Sequence, residues 1–301
     1  MAIGHYIKEI GRGKDGARSL TREQAADLFG QLLDGSATDL EVGAFCLAMR
    51  IKGETAPEMA GFLDATHQRL QTLPASDRPV IIIPSYNGAR KLPVLTPLLA
   101  LLLAREGLPV LVHGTPTESR RVYTSEVLLA LGVSAKTAIN TIAQSSVAFV
   151  PTSLLHGGLQ RLLDVRRVAG LRNTAHSLVK RMHPVQGKNL LVTSYTHPEY
   201  AVSMAQTLAL TGANALLLRG TEGEAVADAR RTPAMQGFIQ GALVEHQEHQ
   251  RGTLTSLPDL PANMDADSTA AYIRQVLAGT QPLPEPIAQQ VARILHLVQA
   301  L

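Results

Sequence analysis

The chain has 301 residues, of which 45% are hydrophobic, enough to build the cores of a small domain and a larger one. Its single cysteine, Cys46, excludes an internal disulfide and a cysteine-based zinc site, and the apolar neighbours of Cys46 predict a buried thiol. The formal net charge is only +3, and the longest apolar stretch, 98–104, is far shorter than the ~20 residues that cross a bilayer. These features predict a cytoplasmic protein without a secretory or membrane segment.

The first seventy residues have the apolar spacing of helices. From position 20 to position 70, apolar residues recur three and four places apart. Thr21 or Ser19 is a suitable cap for one helix and Thr38 for a second, and Pro57 suits the first turn of a third. We therefore expect an all-helical domain over residues 1–73.

A polar segment with two prolines, 74–79, marks a domain boundary. After it, short runs rich in β-branched and other apolar residues alternate with helix-like segments, which predicts an α/β domain over 79–301 with a mostly parallel central sheet. Two helices, Ser268–Ala278 and Pro286–Ala300, are expected to close it. The predicted strands are 80–83, 110–112, 147–150, 190–193 and 215–218.

Several segments resemble a known family along most of the chain. Residues 20–25 (Leu-Thr-Arg-Glu-Gln-Ala) and 48–55 (Ala-Met-Arg-Ile-Lys-Gly-Glu-Thr) resemble the N-terminal helical domain of anthranilate phosphoribosyltransferases, in glycosyltransferase family 3. Segments 112–114, 126–133 and 165–167 follow in the family's order. The resemblance implies a nucleoside phosphorylase/phosphoribosyltransferase-like fold, a homodimer formed through the helical domain, and an active site in the cleft between the domains.

The phosphate loop of that family is altered in this chain. In the enzymes, a G-T-G-G-D loop after the first strand binds the diphosphate of phosphoribosyl diphosphate through backbone amides. Residues 84–88 here read Pro-Ser-Tyr-Asn-Gly: proline has no amide hydrogen, Tyr86 is bulky, and the acid of the motif is Gly88. The remnants of this degenerate phosphate loop are Ser85, Asn87, Gly88 and, at the following helix start, Thr96.

Two further family motifs have also lost key groups. The K-H-G-N motif reads Val-His-Gly-Thr at 112–115, so His113 and Gly114 remain but the phosphate-binding lysine does not. The magnesium-binding Asp-Glu pair falls on Ala225 and Val226, which offer no oxygen ligand.

Two acids, Glu222 and Glu224, lie close to the position of that pair, and a shift of one or two residues in the loop would restore a metal site. Without such a shift we expect no catalytic residue, no metal and no cofactor. The combination of lost motifs resembles the divergent YbiB-type branch of the family. That resemblance implies that this chain binds nucleic acid and lacks transferase activity.

Basic residues are concentrated in one part of the chain. Residues 151–190 contain seven Lys or Arg against one acid, Asp164. Such a surface attracts polyanions by releasing counterions and needs no base-reading motif, so we expect binding to the DNA or RNA backbone with little sequence preference. The seven are Arg161, Arg166, Arg167, Arg172, Lys180, Arg181 and Lys188. Further candidates are Arg90, Lys91, Arg120 and Arg121 near strand ends, and Lys8, Arg12 and Lys14 in a pliable N-terminal arm.

Three hypotheses stay open from the sequence. The leading one is a dimeric nucleic-acid-binding protein on a phosphoribosyltransferase fold. The alternative is a glycosyltransferase or phosphoribosyltransferase of altered specificity that acts on an anionic acceptor. The third is a structural partner protein that binds neither ligand. Taken singly, each basic residue could also belong to an ordinary solvated helix face that binds no partner.

Overall fold

A computed structural model describes residues 3–13, 15–254 and 257–301, so Lys14 lies outside the described residues. The chain divides into two units. Unit 1 combines Met1–Gln71 with Thr152–Pro184, and unit 2 combines Thr72–Pro151 with Val185–Leu301. This division differs from the sequence expectation, which assigned everything after position 79 to the α/β domain.

Unit 1 is helical. Thr21 and Thr38 accept hydrogen bonds from the backbone N–H groups three residues on, and each forms a complete capping box with Gln24 or Glu41. Phe29, Phe45 and Phe62 meet at its centre, with ring centroids 4.9–6.2 Å apart. Its helices are α1 (Gly4–Ile10), α2 (Arg22–Asp34), α3 (Asp39–Lys52), α4 (Ala56–His67), α7 (Thr152–Leu155), α8 (Gly157–Ala169) and α9 (Thr174–Leu178), the last followed by a 3-10 turn at Val179–Arg181.

The N-terminal segment is part of this unit rather than a free arm. Helix α1 packs against α3, and both Ile3 and Ile10 are buried. Two buried isoleucines at the ends of one short helix fix it by apolar contact. The expectation of a pliable arm is therefore wrong for residues 4–10.

The segment α7–α9 returns to the N-terminal helices because its apolar side packs on them. Helix α8 packs against α2 and buries Leu159, Leu162 and Leu163. The N–H of Gln71 donates to the carbonyl of Leu155 at 2.9 Å, which joins the end of the first segment to the start of the second. Six of the seven basic residues predicted from sequence thus belong to the helical unit, and Lys188 belongs to unit 2.

Unit 2 is an α/β domain around a seven-stranded sheet of order β3-β2-β1-β4-β5-β6-β7. Strands β1 to β5 are parallel, and β6 and β7 run antiparallel at one edge. The five predicted strands are all confirmed. The strands are β1 (Val80–Ser85), β2 (Val110–Gly114), β3 (Val147–Pro151), β4 (Asn189–Tyr195), β5 (Ala215–Arg219), β6 (Met235–Ile239) and β7 (Ala242–Gln247).

Helices cover this sheet. Helices α5, α6, α11 and α12 share one buried apolar cluster with the strands, and α10 packs against β4 and β5. The two predicted C-terminal helices are confirmed within two residues at each end. None of the described helices is both long and apolar enough to cross a membrane. The helices of unit 2 are α5 (Thr96–Arg105), α6 (Thr124–Ala130), α10 (Pro198–Leu210), α11 (Ala266–Ala278) and α12 (Glu285–Gln299).

The β6–β7 hairpin was not foreseen in the sequence. Its two-residue turn places Gln240 at φ +48° and Gly241 at φ +79°. Paired positive φ values are typical of a tight hairpin turn that Asn-Gly or Asp-Gly usually forms, so Gln-Gly is a weak signal. Strand β7 is also largely exposed, so it lacks the alternation of apolar and polar residues that indicates a half-buried strand.

Candidate functional site

The strand order places a crevice at the carboxyl edge of β1. The chain runs outward from β1 through β2 to β3 and then crosses back to β4 and β5 on the other side. Ligands of open α/β sheets bind where the strand order reverses in this way. The loops that follow β1 and β5 meet at this edge, and both belong to unit 2.

The carboxylate of Glu224, from the loop after β5, fills the phosphate loop after β1. One oxygen accepts the backbone N–H groups of Asn87 at 2.8 Å and Gly88 at 2.7 Å. The other accepts the hydroxyls of Ser85 and, at 3.3 Å, Thr96. Glu224 is only 1% exposed, so its buried carboxylate takes up amide donors of the kind that can bind a phosphate.

A second carboxylate, from Glu222, binds the next part of the same loop. Its oxygens accept the backbone N–H groups of Lys91 at 2.8 Å, Leu92 at 3.0 Å and Arg90 at 3.2 Å. The guanidinium of Arg121 lies 3.9 Å from the same carboxylate. Glu222 adopts φ +51°, a strained value for a residue with a side chain, which the three amide contacts hold in place.

A tight turn presents the two carboxylates together. The N–H of Glu224 donates to the carbonyl of Thr221 at 2.9 Å, and Ser194 donates its hydroxyl to the carbonyl of Gly223 at 3.0 Å. Gly223 has φ +90°, and a Cβ atom there would lie 1.8 Å from the amide nitrogen of the Asn87 side chain. Only glycine fits between the two glutamates. We call this segment, residues 221–224, the acidic turn.

The carboxylates of the acidic turn are not available to the magnesium ion of the family. Both carboxylates point at N–H and O–H donors, whose hydrogens would repel a cation. Ala225 and Val226, at the positions of the family's metal ligands, are buried in the apolar core. Across the described residues, no three His, Cys, Asp or Glu side chains are grouped so that they could hold a metal ion. The residues present do not fit a magnesium site.

The predicted remnants of the phosphate loop divide into two groups. Ser85, Asn87, Gly88 and Thr96 come together around Glu224. His113 and Gly114 instead serve packing: His113 is fully buried, with its Nδ1 atom 2.8 Å from the hydroxyl of Tyr86. A Cβ atom on Gly114 would lie 1.9 Å from the carbonyl oxygen of Ser85.

The sequence places Glu222 and Glu224 beside the lost metal site but gives no sign of the partners that they have in the structure. It also suggests that Pro84 and Tyr86 disable the loop. In fact the anion-binding amides belong to residues 87, 88 and 90–92, which are all non-proline. The glycine between two acids was the available signal, since Glu-Gly-Glu can place both carboxylates on one side of a turn.

The basic residues of unit 1 are mostly at the surface. Arg161 and Arg167 are exposed, and Arg166, Arg172 and Lys180 are partly exposed. Arg167 pairs with Asp164 at 3.2 Å, yet its side chain is 66% exposed. Lys8 and Arg12 are exposed as well, and Arg12 pairs with Glu9 at 2.7 Å.

Arg181 differs from its neighbours. It is 6% exposed and donates from Nη1 to the carbonyl of Ser177 at 2.7 Å. Burial lowers its pKa to about 10, against an opposing effect of the Glu54 charge. Arg181 is therefore a structural residue, which corrects its inclusion in the binding surface.

The basic candidates of unit 2 also divide. Arg90, Lys91, Arg120 and Lys188 are exposed. Arg121 is only 12% exposed and pairs with Glu118 at 3.1 Å as well as facing Glu222. It therefore holds the loop and is not free for a ligand.

Charge is distributed unequally between the units. Unit 1 contains 14 Lys or Arg and 11 Asp or Glu, whereas unit 2 contains 14 of each. The whole formal excess of +3 is therefore in unit 1. Within it, Thr152–Pro184 has six basic residues and one acid.

Comparison with known proteins shows the same architecture. Residues 5–69 match the model of the glycosyl transferase family helical bundle domain. The uncharacterized protein YbiB of Escherichia coli K12 is 39% identical over 300 residues, which cover 97% of this chain and 93% of that protein. An anthranilate phosphoribosyltransferase of Anaeromyxobacter dehalogenans is 28% identical, over 94% of this chain and 84% of that protein.

Solved structures carry the same fold. The anthranilate phosphoribosyltransferase of Thermus thermophilus superposes with a TM-score of 0.74 at 22% identity, over 95% of this chain and 85% of that chain. Both the helical domain and the α/β domain lie within the matched region. This chain belongs to the anthranilate phosphoribosyltransferase-like family, glycosyltransferase family 3.

Proposed function

We propose that this protein binds nucleic acid through the phosphate backbone, with little sequence preference. We also propose that the loop after β1 binds the carboxylates of Glu222 and Glu224 in place of an external phosphate. The observation that supports binding is the charge of Thr152–Pro184, six basic residues to one acid, of which all but Arg181 are at least partly exposed. Lys and Arg bind a backbone through many modest contacts, each of which releases counterions. Partners of this chemistry are DNA and RNA, and we expect the protein in the cytoplasm.

The surface centred on the end of α8 is the best candidate for contact. Arg166 and Arg167 lie in the last turn of this helix, where the helix dipole favours cations, and Arg172 lies two residues after Gly170, which has φ +70°. Val168 is 93% exposed between these cations. An exposed apolar group beside cations at the surface suits a partner that offers both charged and apolar surface, as a single strand does.

The acidic turn supports the second part of the proposal. A diphosphate would have to displace two carboxylates from eight donor contacts within the same protein chain. Those contacts are made at the high effective concentration of an intramolecular group. We therefore expect phosphoribosyl diphosphate not to displace the two carboxylates from this loop.

A homodimer through unit 1 is also part of the proposal. Leu40, Leu47 and Ile51 of α3 are 84%, 52% and 59% exposed, and their spacing places them on one side of the helix. Three large apolar side chains on one exposed helix face are typical of an interface. Dimerisation would double the number of cations that one strand can reach.

The second candidate function is a transferase of altered specificity that acts on an anionic acceptor. It is favoured by the comparisons, because the relatives with a named activity are anthranilate phosphoribosyltransferases, and these support it better than they support nucleic-acid binding. It requires the acidic turn to withdraw from the phosphate loop. Calorimetry with phosphoribosyl diphosphate and magnesium tests it: heat that needs both ligands supports transfer, and its absence supports a closed loop.

The test of the leading proposal is fluorescence anisotropy with labelled single-stranded DNA, duplex DNA and RNA at about 50 and 200 mM salt. The charge-reversed variant R167E/R172E is expected to bind at least tenfold more weakly than the wild type. The matched control R18E/R50E reverses two other exposed arginines of unit 1 and should retain most of the affinity. Wild-type affinity in R167E/R172E would refute the assigned surface.

A further inference from the structure

Unit 2 contains a cavity of about 730 Å³ beside the acidic turn, on the side of β4 and β5. Tyr195 and Arg219, the last residues of these strands, lie in its wall. Small-molecule sites occupy about 300–1,000 Å³ and favour the carboxyl edge of such sheets. The cavity therefore has the size and position of a ligand site, and it is separate from the donors that bind Glu224.

The wall of this cavity is cationic. It includes Lys91, Arg219, Arg230 and Arg231 against two acids, Glu222 and Asp228. The carboxylate of Glu222 is taken up by the amides of the loop after β1. An excess of positive charge in a concave surface raises the local concentration of anions.

Asp228 forms an ion pair with Arg230, and its charge also acts on Arg231. Both of its oxygens accept from Arg230, at 2.9 and 2.7 Å. Arg231 donates to two neutral carbonyls, those of Gln250 at 3.2 Å and Gly252 at 3.0 Å, so its guanidinium is fixed in direction.

Lys91 and Arg219 remain available at the rim. Both side chains are exposed, and among the residues described by the structure neither forms an ion pair with a carboxylate. Two available cations and one oriented cation are the donor set that a phosphate group needs.

The remaining wall is apolar and aromatic. Leu92, Pro198 and Pro233 contribute hydrocarbon surface, and the ring of Tyr195 is half-buried. Burial raises the pKa of Tyr195, partly opposed by the charge of Arg219, so its phenol stays neutral and can donate a hydrogen bond. A ligand with one anionic end and one flat, weakly polar part matches both halves of the wall.

We propose that this cavity binds a phosphate monoester of nucleotide size, with its phosphate on Lys91, Arg219 and Arg231. The inference goes beyond backbone binding by unit 1, because its residues all belong to unit 2. A free nucleotide and the 5′-phosphate end of a nucleic acid carry the same chemistry.

Calorimetry on the full-length protein tests this site with AMP, and with adenosine as the ligand that lacks the phosphate. AMP is expected to bind at submillimolar concentration and adenosine at least tenfold more weakly. The variant R219A should weaken AMP binding at least tenfold, while the control R105A, an exposed arginine outside the cavity, should change it less than twofold. A 5′-phosphorylated dinucleotide and its 5′-hydroxyl form then separate the two sources.

Tighter binding of AMP than of the phosphorylated dinucleotide assigns the site to free nucleotides, and the reverse order assigns it to chain ends. Failure of AMP to bind at about 5 mM would overturn the proposal, as would unchanged AMP affinity in R219A. Because Arg167 and Arg172 are not in the cavity, R167E/R172E should bind AMP normally. Loss of nucleic-acid binding in R167E/R172E therefore does not affect the inference about the cavity. Likewise, failure of AMP to bind does not affect the proposal that unit 1 binds nucleic acid.

Discussion

The two units differ in where their anion-binding groups find partners. At the carboxyl edge of unit 2, backbone amides and hydroxyls bind carboxylates from the same chain, and the unit as a whole has no net charge. In unit 1, Thr152–Pro184 leaves most of its cations at the surface with one acid among them. The difference indicates that loss of a phosphate motif does not abolish anion affinity, because that affinity comes from backbone geometry. In unit 2 the donors of the loop after β1 are satisfied by carboxylates of the same chain, whereas in unit 1 the cations of Thr152–Pro184 are mostly at the surface.

The largest expected effect concerns Glu224. E224A should lower the free energy of unfolding by about 3–5 kcal/mol, because it leaves two amides and several hydroxyls buried without an acceptor. Denaturant unfolding measures this change. The control E199A, on the exposed side of α10, should stay within about 0.5 kcal/mol of the wild type.

A rescue experiment sharpens the same point. If Glu224 acts as an internal anion, added phosphate or diphosphate should restore part of the stability of E224A and leave the wild type unchanged, since only the variant has donors to offer. Equal stabilisation of both proteins would mean that the anion binds elsewhere. The interpretation of the acidic turn would then fail.

The next effect concerns a buried histidine in unit 1. His67 accepts the backbone N–H of His183 at 3.1 Å on Nε2, and burial, with a smaller effect of His183, lowers its pKa to about 4. In the unfolded chain its pKa is about 6.5, so its contribution is fully present above pH 6.5 and is lost as pH falls toward 4. From pH 7 to pH 4.5 we expect His67 to account for about 2–3 kcal/mol of lost stability.

The variant H67Q isolates this contribution, because glutamine keeps an acceptor but does not titrate in this range. Unfolding by denaturant at pH 7, 5.5 and 4.5 should show a smaller pH dependence in H67Q than in the wild type. Parallel curves for the two proteins would contradict the assignment to His67.

A comparison of charge reversals in the two units tests where nucleic acid binds. R90E/K91E changes two exposed cations of unit 2 and should weaken nucleic-acid binding only a few-fold, because unit 2 has no net formal charge. The expected loss for R167E/R172E is at least tenfold. Anisotropy titrations at one salt concentration are sufficient. A larger loss in R90E/K91E would move the interface to unit 2.

The smallest effect concerns the single cysteine. Burial raises the pKa of Cys46 to about 11, despite a hydrogen bond with Asn173. Thiolate is the reactive form, so alkylation at pH 8 should be far slower in the native protein than in denaturant. Mass spectrometry after timed iodoacetamide treatment measures the ratio. Equal rates would mean that this part of unit 1 opens readily.

Much of the fold could be predicted from local chemistry. The caps at Thr21 and Thr38 and the β-branched run at 80–83 each specify their element with little help from tertiary contacts. The return of 152–184 to the helical unit could not be predicted, because an amphipathic helix such as α8 does not specify which apolar surface it will bury.

The candidate site was harder to predict for the same reason. Hydrogen bonds between Glu224 and residues 87–88 join positions more than 130 apart in sequence, and no local pattern encodes them. The burial of Arg181 is similar: its charge suggested a surface residue, whereas its place in the 3-10 turn directs it into the protein. Composition identified the charged segment but not which of its cations face solvent.

The most direct test of the account is the affinity of a labelled single-stranded oligonucleotide, titrated by anisotropy from about 50 to 200 mM salt with and without about 1 mM phosphoribosyl diphosphate and magnesium. The account predicts an affinity that falls at least tenfold over this range and does not respond to the diphosphate at constant ionic strength. Absence of binding at the lowest salt, or displacement of the strand by phosphoribosyl diphosphate, would contradict it.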